Sequence, residues 1–149
     1  MRAAAAGLIV LALCTTPARA ADVLLEPEQA FRLSARLLSE SLIEVTYRIA
    51  PGYYLYRDKL AFRLEPSLHS GEPQFPAGLW HEDEFFGRSE IYRDRLTVHI
   101  PVSGAAEHRR FRLVAVSQGC ADAGVCFLPI EQSAELRAGG LPGLGTSPP

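Results

Sequence analysis

The sequence lacks the features that would assign it to several common classes of protein. Its longest apolar run, residues 3–13, is shorter than the roughly 20 residues that a transmembrane helix needs. Positive charge is not in excess: 15 basic residues stand against 17 acidic ones, which argues against a nucleic acid or an anionic membrane as the partner. No stretch of ten or more residues carries a convincing helical stripe, and there are no internal repeats. Nothing here points to a nucleic-acid-binding, helical or repeat protein.

Patterns for metal binding and acid–base hydrolysis are also missing. The chain has four histidines: His69, His81, His99 and His108. They share no ligand spacing with one another or with the cysteines, so we expect neither a metal nor a cofactor. The adjacent carboxylates at residues 82–84 are more typical of a solvated loop than of the paired acid and base of a hydrolase.

Cysteine is scarce, with three residues in the chain. Cys14 lies in a segment with a positive start, a short apolar core and an Ala-x-Ala ending, the pattern of a secretory signal peptide over residues 1–20. Lipoprotein processing at Cys14 is the less favoured alternative, because Leu13 is bulkier than the small residue that such processing prefers. Export implies an oxidising compartment, which agrees with an even pair of remaining cysteines, Cys120 and Cys126.

Short alternating segments predict an all-β fold. Apolar and polar side chains alternate with the period of half-buried strands in four segments: residues 31–37, 43–49, 60–64 and 96–102. Pro- and Gly-containing turns separate these segments at the short spacing typical of an antiparallel sandwich. We therefore expect one β-sandwich domain over residues 21–137, followed by a disordered Gly/Pro-rich tail over residues 138–149.

Two long stretches between these strands, residues 53–59 and 80–94, are predicted to be irregular. Nine of the thirteen aromatic residues lie between Tyr53 and Tyr92, which is more than ordinary loops need. This enrichment indicates that the aromatic side chains cover or present something.

The cysteine pair lies on a short loop between apolar segments. Gly119, Asp122 and Gly124 favour a tight hairpin there. A disulfide that closes so small a loop would stabilise the fold by only roughly 2 to 2.5 kcal/mol in the chain-entropy model. Stabilisation of the fold is thus a weak reason for a disulfide at this place. Two sulfurs on one loop suffice, however, for thiol–disulfide exchange. An inert structural disulfide is the alternative.

Three blocks of the sequence resemble a known family. They are GYYLYR at residues 52–57, WHEDEFFG at 80–87 with SEIYRDRL at 89–96, and QGCADAGVC at 118–126. In this order, they are similar to the N-terminal periplasmic domain of the thiol:disulfide interchange protein DsbD. The resemblance implies an immunoglobulin-like β-sandwich in the periplasm with a redox-active cysteine pair. It implies a thioredoxin-like or membrane electron donor, and disulfide isomerases and cytochrome c maturation thioredoxins as acceptors.

The resemblance also assigns site residues. The matching positions form a redox disulfide, a cap loop and two site-lining tyrosines: Cys120 and Cys126; Asp83, Glu84, Phe85, Phe86 and Gly87; and Tyr54 and Tyr56. In the family's scheme Cys126 would be joined to the partner and Cys120 would resolve that bond. Phe85 would lie against the sulfurs, and Phe86 stands where a tyrosine is common. No metal or cofactor belongs to this scheme.

Family members continue into a membrane-embedded carrier and a C-terminal thioredoxin-like domain, whereas this sequence stops at Pro149. We expect either a stand-alone relative that is supplied with electrons in trans or a part of a longer chain. The residues alone leave a competing hypothesis open, namely a redox-inert exported module whose aromatic loops bind a peptide or glycan.

The surroundings of the cysteines predict a slow nucleophile. No lysine or arginine is adjacent to them in the sequence, and Asp83, Glu84 and Asp122 would disfavour a thiolate. We expect the reduced form to react mainly when a partner docks, with Phe85 limiting exchange with other thiols.

Overall fold

The structure, a computed structural model, describes residues 24–138. The predicted signal peptide and residues 139–149 of the predicted tail lie outside the described residues. One short helix, α1 (Pro27–Ala30), precedes the strands, and two 3₁₀ turns occur at Arg57–Lys59 and Ala105–Glu107. The strands are β1 (Phe31–Ser39), β2 (Leu42–Ile49), β3 (Tyr53–Tyr56), β4 (Ala61–Glu65), β5 (His69–Ser70), β6 (Leu79–Asp83), β7 (Gly87–Tyr92), β8 (Arg95–Ser103), β9 (Arg110–Ser117), β10 (Gly119–Ala121), β11 (Val125–Cys126) and β12 (Ile130–Arg137). In this part of the chain no helix has the length and apolar character to cross a membrane.

The strands form antiparallel sheets in an immunoglobulin-like β-sandwich, as the sequence predicts. One sheet has the order β1-β2-β8-β5, a second has the order β12-β9-β4, and a third has the order β11-β10-β3-β7-β6. Side chains from all three sheets meet in one main core. The third sheet carries both cysteines, on β10 and β11.

Alternation in the sequence accounts for the packing of the first sheet. Ile43 and Val45 on β2 are fully buried and lie opposite Ile100 and Val98 on β8. Their polar neighbours on β2 include Glu44, which lies at the surface beside Arg36 and His99. The apolar face of each strand is thereby removed from water, which is the main stabilising contribution to such a sandwich.

The two stretches predicted to be irregular are in fact largely strand. Residues 53–56 form β3, and residues 80–94 contain most of β6 and all of β7, which pair as a hairpin. The prediction was wrong for β3 because this strand is buried on both faces, so its residues show no alternation of apolar and polar character.

β3 connects the core with the cysteines. Tyr53 and Leu55 point into the main core, whereas Tyr54 and Tyr56 belong to a second, smaller cluster that includes Cys120. This division follows from the period of two along a strand, which sends successive side chains to opposite faces. The aromatic side chains of β3 thus serve two purposes: Tyr53 packs in the core, and Tyr54 and Tyr56 cover Cys120.

Candidate functional site

The cysteine pair lies on a tight hairpin. Cys120 on β10 and Cys126 on β11 are directly opposite each other and form a disulfide, with 4.0 Å between their Cα atoms. Gly124 has a φ of 82°, a left-handed conformation that glycine adopts without steric penalty, and its N–H donates to Ala121. The N–H of Asp122 donates to the carbonyl of Gly52 at 2.7 Å, which ties the turn to the start of β3.

Gly119 lets β10 approach the rest of the domain closely. Gly119 and Cys120 pair with Leu55 and Tyr54 on β3. A Cβ atom on Gly119 would collide with the backbone carbonyl oxygen of Tyr54 and would lie 2.6 Å from Cζ of Phe31. Only glycine therefore allows the cysteine hairpin to pair with β3 at this distance.

The two sulfurs differ in exposure. Cys120 is 0% exposed, whereas Cys126 is partly exposed. The neighbours of Cys126 are also open to solvent, since Val125 is exposed and Leu128 is 83% exposed. A molecule that approaches the disulfide from solvent consequently reaches Cys126 first.

A tyrosine and an aspartate lie beside the buried sulfur. The Tyr56 hydroxyl is 3.1 Å from Sγ of Cys120 and 3.9 Å from Sγ of Cys126. The same hydroxyl donates to Oδ2 of Asp83 at 2.6 Å, and the Tyr54 hydroxyl donates to that oxygen at 3.3 Å. Because its one proton is directed at Asp83 and disulfide sulfurs carry no hydrogen, the Tyr56 oxygen can accept a hydrogen bond from Cys120 only after the disulfide is reduced.

The charge state of this pair follows from its contacts. Burial opposes ionisation of Asp83, but hydrogen bonds from Tyr56 and from the N–H groups of Phe86 and Phe85 hold the pKa of the carboxyl below its ordinary value. Burial, reinforced by the hydrogen bond to Asp83, raises the pKa of the Tyr56 hydroxyl far above its ordinary value. At neutral pH the site therefore holds an ionised Asp83 and a neutral Tyr56.

The predicted cap loop is the turn between β6 and β7. Oδ1 of Asp83 accepts the N–H groups of Phe85 and Phe86, each at 2.9 Å, and Gly87 has a φ of 66°. Asp83 thus shapes the turn with one oxygen and binds Tyr56 with the other. Glu84 lies exposed in this turn.

The two phenylalanines of the turn have different surroundings. The Phe86 ring packs edge to face on Tyr56 at 4.8 Å between centroids, and the Lys59 ammonium lies 4.7 Å from its centre. Phe86 therefore covers Tyr56 with a ring that has no hydroxyl. Phe85 is 46% exposed at the tip of the turn, and its contact with the sulfurs stays a prediction.

Two further residues belong to the site, and the sequence analysis did not identify either of them. The His81 ring packs edge to face on Tyr54 at 4.8 Å between centroids, and its Nε2 is 3.7 Å from Oδ2 of Asp83. The guanidinium of Arg93 lies 4.9 Å from the centre of the Tyr54 ring and pairs with Asp122 in the cysteine turn. His81 could have been found from its position two residues before Asp83 on one strand. Arg93 had no such signal: it is 29 positions from Asp122 in the sequence, and folding brings its cation to the cysteine turn.

Comparisons with known proteins agree with this geometry. The family model described as thiol:disulfide interchange protein DsbD, N-terminal, matches residues 21–138. Thiol:disulfide interchange protein DsbD 2 of Pseudomonas aeruginosa is 41% identical over 121 residues, which cover 80% of this chain and 19% of that protein. The chain spans about a fifth of the length of the curated relatives it matches.

Two solved structures from Neisseria meningitidis resemble the fold. The DsbD N-terminal domain in the reduced form has a TM-score of 0.70 and 36% identity, over 78% of this chain and 92% of that one. A DsbD N-terminal domain in complex with the PilB N-terminal domain has a TM-score of 0.64 and 37% identity, over 76% and 87% of the two chains. With a matching family model, matching structures and a cysteine pair on the third sheet of the sandwich, the chain belongs to the family of the N-terminal domain of the thiol:disulfide interchange protein DsbD.

Proposed function

We propose that this domain is a periplasmic thiol:disulfide oxidoreductase module that relays reducing equivalents through Cys120 and Cys126. Its donor would be a thioredoxin-like or membrane protein, and its acceptors would be disulfide isomerases and cytochrome c maturation thioredoxins. The observation that carries the proposal is a disulfide with one partly exposed sulfur and one buried sulfur beside Tyr56. Residues 1–20 would direct the chain to the periplasm.

Exchange of the disulfide proceeds in two displacements. A donor thiolate attacks Sγ of Cys126, the Cys120–Cys126 bond breaks, and its electron pair leaves on Cys120. The second donor thiol then attacks the donor sulfur of the mixed disulfide and releases Cys126. The donor dithiol becomes a disulfide, and its two protons and two electrons end on Cys120 and Cys126.

Tyr56 and Asp83 control the sulfur that is released. The Tyr56 oxygen can accept a hydrogen bond from a neutral Cys120 thiol, whereas the ionised Asp83 opposes a second negative charge nearby. A thiol must lose its proton before it attacks a disulfide, so both contacts would slow, without preventing, the attack of Cys120 on a mixed disulfide at Cys126. In the reduced domain Cys126 would then be the sulfur that an oxidised acceptor reaches, as it is the partly exposed one in the disulfide form.

The complex of the related Neisseria domain with the PilB N-terminal domain supports a protein as the partner. The exposed side chains next to Cys126 agree with it, since Val125 and Leu128 offer apolar surface beside the reactive sulfur. A protein partner would bury this surface while its own cysteine approaches Cys126.

The proposed function predicts that the wild-type disulfide equilibrates with thiols. In glutathione buffers of graded ratio, we expect measurable fractions of oxidised and reduced domain, quantified by thiol alkylation and mass spectrometry. We also expect rapid reduction by a reduced thioredoxin-like protein. A structural disulfide would resist reduction, with a potential below about −300 mV. Resistance to both reagents would favour the redox-inert binding module instead.

Phe85→Ala is expected to speed reduction of the disulfide by a small thiol severalfold. The Phe85 side chain is proposed to shield the sulfurs, and the turn that carries it would move when a partner docks. The free energy of unfolding should change little, because the side chain is 46% exposed. Trp80→Ala is the matched control, since Trp80 is 67% exposed on β6 but lies outside the turn. An unchanged rate together with a large loss of stability would make Phe85 a core residue.

A further inference from the structure

An arginine from another part of the sheet holds the cysteine turn. Arg93, directly after β7, donates from Nη2 to Oδ1 of Asp122 at 2.8 Å and from Nη1 to Oδ2 at 3.1 Å. Asp122 lies between Cys120 and Cys126 in the sequence, so this two-point contact acts on the loop that the disulfide closes. In the described part of the chain it is the one ion pair of that turn.

The same guanidinium contacts the wall of the site. It lies over the Tyr54 ring, at 4.9 Å from the centroid, and Tyr54 packs edge to face on Tyr56 at 5.4 Å. Tyr54 also pairs through its backbone with Cys120. Arg93 therefore joins the turn, which carries no core side chain beyond Ala121, to a strand that is buried on both faces.

We propose that Arg93 is a positioning residue that keeps Cys126 close to Cys120 after the disulfide is reduced, and so sets how readily the dithiol is oxidised again. This inference rests on the proposed function, because the position of the sulfurs matters only if the disulfide exchanges. Reduction removes the covalent link across the hairpin. The two hydrogen bonds from the planar Arg93 guanidinium to the Asp122 carboxylate then restrict both the position and the orientation of the turn. A single charge contact would not restrict its orientation.

The structure predicts the direction in which loss of the ion pair shifts the equilibrium between disulfide and dithiol. If the reduced turn is already ordered, closing the disulfide loses less conformational entropy, and the effective concentration of one thiol at the other is high. Loss of the ion pair frees the turn mainly in the reduced state, because the disulfide itself still restricts the oxidised one. Reduction should therefore become more favourable when Arg93 or Asp122 is changed.

The test compares Arg93→Gln and Asp122→Asn with the wild-type domain in glutathione buffers. The reaction converts the protein disulfide and two glutathione thiols into the protein dithiol and glutathione disulfide. We expect each variant to raise its equilibrium constant about threefold to tenfold, which corresponds to a potential about 15 to 30 mV less negative. Arg93→Lys should recover only part of the wild-type value, since it keeps the charge but not the fork.

Two comparisons separate this role from a general loss of stability. Arg63→Gln removes a similar two-point pair, with Glu131 at 2.8 and 3.0 Å, that joins β4 to β12, and it should leave the equilibrium constant unchanged. The double variant Arg93→Gln/Asp122→Asn should match the single variants, because both changes remove one interaction.

Equal equilibrium constants for Arg93→Gln and Arg63→Gln would overturn the inference, as would additive effects in the double variant. Both results would leave the proposed function intact, since the wild-type domain would still equilibrate with glutathione. Failure of the wild-type domain to exchange would instead overturn the proposed function.

Discussion

A Cys120→Ser variant is expected to form a stable mixed disulfide through Cys126 with a thioredoxin-like protein that lacks its resolving cysteine. The Cys126→Ser variant is expected to form almost none. The reason is the difference in exposure, because Cys126 is partly exposed whereas Cys120 is 0% exposed behind Tyr54 and Tyr56. Exchange requires the partner's sulfur to contact a sulfur of the domain. Only Cys126 can be reached without opening the site.

Non-reducing electrophoresis and mass spectrometry of the trapped species measure this result. The wild-type domain is the control, since its Cys120 can resolve the bond and should leave little adduct. Both serine variants should also be compared for unfolding by urea, because each loses the same disulfide. Efficient trapping through Cys120 alone would reverse the roles of the two sulfurs.

Gly119→Ala is expected to lower the free energy of unfolding by about 3 kcal/mol or more, at the upper end of what overpacking produces. The added Cβ would meet the Tyr54 carbonyl oxygen, a backbone atom of β3 that no side-chain rotation can move, and the buried Phe31 ring. The hairpin would have to separate from β3. Cys120 would then shift relative to Tyr56, so the exchange rate should change as well.

Gly52→Ala provides the matched control for this prediction. Gly52 has a φ of 82° and nothing within 4 Å of an added Cβ, so its substitution adds backbone strain of about 1 to 2 kcal/mol without a collision. Urea unfolding gives both values if the dependence on denaturant stays the same. A Gly119→Ala domain as stable as the wild type would contradict the close approach of β10 to β3.

Much of the fold could be predicted from local patterns. Strands buried on one face, such as β2 and β8, show alternation that identifies both the strand and its inward side chains. β3 was missed because Tyr53 and Leu55 face the main core while Tyr54 and Tyr56 face the cysteines. A strand with two buried faces has a uniform sequence, and only its place in the sheet reveals the direction of each side chain.

The sequence by itself determined the cysteine hairpin, the β-rich class and, through three blocks of residues, the resemblance to the DsbD family. These features depend on neighbours along the chain, where turn residues and strand periods act. Tertiary structure alone decided that Cys120 is buried and Cys126 partly exposed, that Tyr56 links Cys120 to Asp83, and that Arg93 holds Asp122. Tyr56 and Cys120 are 64 positions apart, and Arg93 and Asp122 are 29 apart. Contacts at such separations follow from the pairing and register of β10, β3 and β7, which are fixed when the sheet forms and which no local pattern encodes.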